Sequence, residues 1–225
     1  MKIFKNKIRD IVEKYDIKPK KRMGQNFIFD KNILNKIANN IEPVINFLII
    51  EIGPGPGGLT NILLERNPKN ILLIEKDIAF KKVLMDLSNQ FSRTNTKIIF
   101  EDFLKLDLNK LKVFKKNKVK FISNLPYYIS TQILMKILPF EQNIYKAIFM
   151  FQKEVADRLL AKPDSKDYSR LSVIVQYSCN IKKILILKSN VFFPKPAVDS
   201  CLLSFVPKKK NIKIEVFAAI KKITK

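Results

Sequence analysis

FLIIEIGPGPGGLT, residues 47–60, decides the fold of this chain. Residues 47–52 are apolar apart from Glu51 and end at a glycine. A short run of that kind suits a strand buried on both faces of a parallel sheet. Gly53, Gly55 and Gly58 then give the spacing GxGxxG, and the spacing predicts a helix over 59–66. Glycines allow a tight turn and let a ligand approach the backbone, and a helix N-terminus offers free N–H groups. The pattern suits a nucleotide-like ligand without saying which. No GK[ST] ending follows, which disfavours a phosphate-gripping NTPase loop.

Downstream of the glycine turn, strands are expected at 70–74, 97–100, 119–123 and 145–151. Helices are expected at 78–91, 131–138 and 153–161, with a Lys-rich loop or broken helix at 104–118. Upstream, Asp30 is placed to cap a helix running to Asn39, with Ile33, Leu34 and Ile37 on one face. Residues 4–14 pattern as a further short helix bearing Ile8, Ile11 and Val12. Residues 162–169 are polar and suit a loop, and 171–179 suits either a helix or a strand. Residues 184–187 and 200–206 suit two closing strands, separated by the stiff aromatic loop 192–196. Alternating strands and helices make the fold class α/β, a doubly wound sheet. The last two strands have no helix between them and are expected to pair as an antiparallel C-terminal edge. After Pro207 comes a basic helical tail whose apolar side (Val216, Phe217, Ile220) has nothing further in the chain to bury it.

The 225 residues suffice for a full core. Lys plus Arg number 43 against 20 Asp plus Glu, a net charge of +23. Lys- and Asn-rich usage of an A/T-rich genome would account for part of this. The field still attracts polyanions, nucleic acid first among them, with an anionic membrane surface as the rival. There is no histidine, which removes imidazole general-base chemistry and most zinc sites. Cys179 and Cys201 stand apart in apolar surroundings, so a metal site is not expected, and free thiols suit a reducing cytoplasm. The N-terminus lacks a signal-like apolar core, and the apolar runs are too short to span a bilayer.

Three carboxylates surround the glycine turn. Glu75 closes the second strand about 20 residues on, where an acid can take both ribose hydroxyls. Asp102 follows the third strand, where it either caps a turn or helps to receive an exocyclic adenine amine. Glu51, inside the first strand, is unsuited to a pyrophosphate but suits a cofactor with a cationic amino-acid part. S-adenosylmethionine has ribose, adenine, an ammonium and a sulfonium, and no phosphate. Glu51 would act directly, through water, or by holding the loop.

The second informative stretch is Asn124-Leu125-Pro126-Tyr127-Tyr128-Ile129-Ser130, after the strand at 119–123. Adenine N6 is a poor nucleophile because its lone pair is delocalised. Asn124 Oδ1 and the Leu125 carbonyl are suited to accept its two N–H bonds and turn the lone pair toward a methyl group. Pro126 stiffens the turn. Tyr127 offers a face on which a base stacks, worth roughly 1–3 kcal/mol. The methylated amine sheds its proton readily, so no general base is required. A stacked base must first be flipped or single-stranded. The pair Phe192-Phe193 is the candidate for a second aromatic wall.

With these residues in place, RMGQNFIFD (22–30), EIGPGPGGLT (51–60), IEKD (74–77), EDF (101–103), NLPYYIS (124–130), FMFQKEVADRL (149–159), YSRLSVIVQY (168–177) and FFPKPAVDS (192–200) stand in an informative order. Together they resemble the KsgA family of small-subunit ribosomal RNA adenine dimethyltransferases, from about residue 20 to 206. The resemblance implies a Rossmann-like S-adenosylmethionine-dependent methyltransferase. It implies transfer of two methyls to N6 of each of two adjacent adenines near the 3′ end of small-subunit rRNA, during ribosome biogenesis. Asn26, Ile28, Gly53, Gly55, Glu51, Glu75, Asp102 and Asn124 would line the cofactor site. Asn124, Leu125, Pro126 and Tyr127 would present the target amine, with Phe192 as the stacking aromatic. The basic N-terminal segment would face RNA. The expected partner is small-subunit rRNA or the small ribosomal subunit precursor, met by a cytoplasmic monomer without membrane contact. Residues 1–206 would form the catalytic domain with its basic N-terminal extension. Residues 207–225 would begin a helical subdomain that family members continue and this chain cuts short. The rivals are a related large-subunit rRNA adenine methyltransferase, a non-catalytic RNA-binding factor, and a nicotinamide-dependent oxidoreductase.

Overall fold

The computed structural model describes residues 14–20, 23–208 and 214–223. All but the last residue of the helix expected at 4–14, and the basic pair Lys21 and Arg22, lie outside the described residues. The chain opens with β1 (Phe27–Ile28), α1 (Lys31–Asn39), β2 (Leu48–Ile52) and α2 (Gly58–Leu64). It continues through β3 (Asn70–Glu75), α3 (Lys81–Asn89), β4 (Asn95–Phe100), α4 (Lys112–Lys115) and β5 (Val119–Ser123). Then follow α5 (Tyr127–Ile137), β6 (Ile144–Gln152), α6 (Lys153–Leu160), α7 (Arg170–Ser178) and β7 (Cys179–Leu187). β8 (Phe192–Phe193), β9 (Ser200–Pro207) and α8 (Ile214–Ile223) complete it.

Seven strands form one sheet in the order β4-β3-β2-β5-β6-β9-β7. The pairs from β4 to β6 are parallel, and β9 pairs antiparallel with both β6 and β7. The expected antiparallel pairing is therefore present, but β9 lies inside the sheet and β7 forms the edge. β2 and β5 are buried along their whole lengths, as strands covered on both faces must be. One apolar cluster includes Phe121, Phe149 and Phe205. The other joins Phe80, Leu84 and Ile62 on a separate side of the sheet.

Strand order reverses between β2 and β5, and both strands have their carboxyl ends at the same edge. Such a switch point opens a crevice in which α/β proteins bind ligands. The glycine turn leaves β2 there, and the residues from Asn124 leave β5 beside it. Ser123 Oγ donates to the Ile52 carbonyl and joins the two strand ends.

Three expectations need correction. The helix placed at 131–138 begins at Tyr127, one residue after Pro126. Proline supplies a fixed φ and no N–H, which suits the edge of a first helical turn, where N–H groups lack intrahelical partners. Residues 192–193 are not merely a loop: β8 pairs antiparallel with β1, Phe27 opposite Phe193 and Ile28 opposite Phe192. On α8, Phe217 is buried against the core and Ile220 packs on it, while Val216 stays exposed. The ambiguous stretch at 171–179 resolves into α7, opened by a Ser169–Ser172 capping box, up to Ser178, and Cys179 begins β7.

Candidate active site

The cleft at the switch point has an open volume of about 980 Å³. Asn26, Ile28, Glu51, Gly53, Gly55, Glu75, Asp102, Asn124 and Pro126 all line it. Residues separated by up to about a hundred positions thus converge because each follows, or lies over, the carboxyl end of a parallel strand.

The glycine turn is shaped by a close approach. Gly55 has φ +55°, and a Cβ there would stand 3.0 Å from the Phe27 ring. A Cβ on Gly58 would meet the Ile28 carbonyl oxygen at 2.9 Å. The segment 23–28 therefore lies as a strap directly over the turn, which only glycines permit.

Glu75 is buried, and both carboxylate oxygens face backbone donors. Oε2 accepts from Gly55 N at 2.9 Å and Oε1 from Asp77 N at 2.7 Å. Burial raises its pKa against the pull of these N–H groups. Glu51 is buried beside it, and Thr60 Oγ1 on α2 donates to its Oε2 at 2.7 Å. Burial pushes Glu51 up to about 8; the Thr60 bond opposes this and the Glu75 charge adds to it. Through this bond Glu51 ties β2 to the first turn of α2. Asp102 pairs with Lys76 at 2.9 Å and caps Leu104 N at 2.9 Å. The Lys76 bond holds its carboxyl below the usual range.

Asn124 is oriented from across the cleft. Its Nδ2 donates to the Asn26 carbonyl at 2.8 Å. That spends a donor and leaves Oδ1 as an acceptor, with no hydrogen bond to it among the described residues.

Leu125, Tyr127 and Phe192 do not line this cleft. Leu125 is buried in the core below the turn. Tyr127 opens α5 half-buried, and its hydroxyl meets Ser200 Oγ at 2.5 Å, at the start of β9. Phe192 is 4% exposed because pairing with Ile28 draws it into the apolar cluster around Phe27, whereas Phe193 is 48% exposed. Among the lining residues that sequence reasoning did not assign to the site are Tyr128 and Gln25. Tyr128, 54% exposed, was visible as the second aromatic of the NLPYYIS stretch. Gln25 lay within the strap, and no local pattern marked it as a wall of the cleft.

The model of the family described as "Ribosomal RNA adenine dimethylase" matches residues 17–224. The chain belongs to this family. Its relatives in the dimethylase family include the ribosomal RNA small subunit methyltransferase A of Clostridium acetobutylicum. That protein is 40% identical over 195 residues, covering 87% of this chain and 69% of the relative. The protein of the same name from Francisella tularensis subsp. novicida is 38% identical over 211 residues, covering 94% and 79%. Among solved structures, a dimethyladenosine transferase from Plasmodium falciparum superposes with a TM-score of 0.69 at 27% identity. The match covers 81% of this chain and 64% of that one. The 23S rRNA methyltransferase ErmE gives 0.68 at 23% identity, covering 87% and 78%, and shares the fold. Dimethylase membership makes the chain a methyltransferase enzyme and sets aside the nicotinamide-dependent reading. Among the described residues no carboxylate or thiol cluster suits a metal ion, and no helix is long and apolar enough to cross a membrane.

Proposed function

We propose that this enzyme transfers methyl groups from S-adenosylmethionine to N6 of two adjacent adenines near the 3′ end of small-subunit rRNA. The observation that carries the reading is the Asn124–Asn26 hydrogen bond at the switch point. It orients the amide so that Oδ1, which accepts no hydrogen bond among the described residues, is available to a substrate amine.

The cleft suits this cofactor. Two buried carboxylates, Glu51 and Glu75, are held above their usual pKa and would gain from a bound cation and from hydroxyl donors. Glu75 would receive the ribose, Glu51 would face the cationic amino-acid part, and Asp102 would lie near the adenine. When bound, the cofactor supplies the methyl as an electrophile. Asn26, Ile28, Gly53 and Gly55 would form the walls around it. Asn124 Oδ1 and the Leu125 carbonyl accept the two N–H bonds of the target amine and aim its lone pair at the cleft. Catalysis then comes from positioning and fixed dipoles, without a histidine.

The base itself would lie beside the cofactor cleft, against Tyr127. The Tyr127–Ser200 bond ties that wall to the strand that follows the aromatic segment bearing Phe192 and Phe193. The basic surface would hold RNA, with the net charge of +23 supplying long-range attraction. We further propose a cytoplasmic monomer acting on a small ribosomal subunit precursor. Residues 1–206 would form the catalytic domain, and 207–225 would begin a helical subdomain.

The test incubates the protein with labelled S-adenosylmethionine and unmethylated small subunits. Label in N6-dimethyladenosine of small-subunit rRNA is expected. Cofactor binding without label in any RNA would reject the enzymatic reading, and label in large-subunit RNA would select the rival substrate.

A further inference from the structure

The strap over the glycine turn is held by a group that no catalytic role requires. Lys20 Nζ reaches both carboxylate oxygens of Asp77, each at 2.9 Å. Gln25 Nε2 donates to Asp77 Oδ2 at 3.0 Å, and Gln25 Oε1 accepts the Lys20 backbone N–H at 2.8 Å. Three groups thus close a ring that joins the strap to the residue two beyond Glu75. The Asp77 side chain is 6% exposed and that of Lys20 is 41% exposed. The anionic half is built into the protein, while the cationic half lies at the surface, where it can detach.

Asp77 acts in two directions. Its side chain grips the strap, and its main-chain N–H donates to Glu75 Oε1 at 2.7 Å. Met23, Gly24 and Gln25 on the strap line the cleft, and so does Glu75 on the opposite side. One residue therefore connects this wall of the cleft to the carboxylate that would receive the ribose. The strap's other anchor is the Asn26 carbonyl, which orients Asn124.

We propose that Asp77 is a positioning residue: with Lys20 and Gln25 it clasps the strap shut over the cofactor and, through its N–H, sets the orientation of Glu75. The proposal rests on the cofactor reading given above. The strap supplies part of the wall that a ligand of this cleft would meet, so the fraction of molecules with a closed clasp scales the observed affinity. Charge-assisted bonds to a buried carboxylate hold more firmly than neutral ones, yet a half-exposed lysine remains open to screening by salt.

The test measures binding of S-adenosylmethionine and S-adenosylhomocysteine by calorimetry, using the full chain. The variants are Lys20→Ala, Lys20→Arg, Asp77→Asn and the Lys20→Ala/Asp77→Asn pair, each with its melting temperature. If opening leaves about a tenth of molecules closed, Lys20→Ala raises Kd about tenfold. Lys20→Arg keeps a forked cation in reach and stays within about twofold of wild type. The double variant is no weaker than Asp77→Asn alone, because the two act through one contact. The KM for cofactor rises in Lys20→Ala, while kcat at saturating cofactor holds. Should Asp77→Asn fail to fold, the two Lys20 variants carry the test, since a half-exposed side chain is dispensable to the core. Wild-type affinity in Lys20→Ala, or losses that multiply in the double variant, would overturn the clasp alone. Failure of the wild type to bind either ligand would overturn the functional reading and the clasp with it.

Discussion

Replacing Glu51 with glutamine removes the ionisable group from the floor of the cleft and keeps an acceptor for Thr60. The expected effect is on the pH dependence of cofactor affinity. Burial raises the Glu51 carboxyl to about 8, with Thr60 opposing and Glu75 adding to the shift. In the apo protein near pH 7 only about a tenth of molecules then carry the Glu51 charge. A ligand that brings an ammonium and a sulfonium selects that ionised tenth. Between about pH 6 and 7 the ionised fraction rises nearly tenfold, so the Kd for S-adenosylmethionine falls about tenfold. In the same window, binding releases close to one proton, which calorimetry in buffers of differing ionisation enthalpy measures directly. Glu51→Gln abolishes both the slope and the release, and it also controls for the ligand's own amine. Stability moves in the opposite sense. The folded pKa lies above the ordinary value of 4.5, so Glu51 contributes stability below that value and loses it as pH rises through about 8. Glu51→Gln should flatten that loss in apo melting curves. A wild-type Kd constant within about twofold from pH 6 to 7, with no proton released, would refute the reasoning.

Asn124→Ala should reduce methyl transfer to background while RNA retention in a filter assay changes little; equal loss of both would assign Asn124 to RNA binding. Gly58→Ala drives a Cβ into the Ile28 carbonyl at 2.9 Å and should cost about 1–3 kcal/mol in urea unfolding, with strap and helix forced apart. Lys120, buried in β5, donates to the Ile41 and Pro43 carbonyls at 3.0 and 2.8 Å beneath the sheet. Lys120→Met should therefore destabilise by about 1–3 kcal/mol through the carbonyls left without a donor, and leave cofactor affinity unchanged.

The centre of the sheet was legible because β2 and β5 are buried along their whole lengths and announce themselves as apolar runs, whereas the partly exposed edge strand β7 begins at Cys179, five residues before the expected start. Phe47 is only partly covered and falls outside β2, so the expected boundary was one residue early. The glycine turn was legible because GxGxxG records a backbone constraint, and Glu75 because the spacing to it is set by one helix and one strand. The start of α5 was misplaced because Pro126 was read as a turn residue, whereas it stands at the helix edge. That error moves Tyr128 into the lining of the cleft and leaves Tyr127 against Ser200. β1 escaped notice because two residues carry no periodicity, and its pairing with β8 is what buries Phe192. Long-range pairing of very short strands leaves no local signal to read.

The same pairing explains why the substrate turn and the cofactor cleft cannot be treated as separate devices. β1 carries the strap's end over the glycine turn, and Asn26, just before it, accepts from Asn124. β8 carries Phe192 and Phe193, and Tyr127 meets Ser200 further along the chain, at the start of β9. The Asn124–Tyr127 turn is thus held at one end by Asn26, at the entry to β1, and at the other by Ser200, on β9 of the main sheet. A shift of the strap would move the Asn26 carbonyl and turn the Asn124 amide, which changes the acceptor offered to the target amine. Closure over a cofactor and orientation of the nucleophile would consequently be coupled through the Asn26–Asn124 hydrogen bond. This coupling is a physical basis for presenting the amine only when the strap is closed.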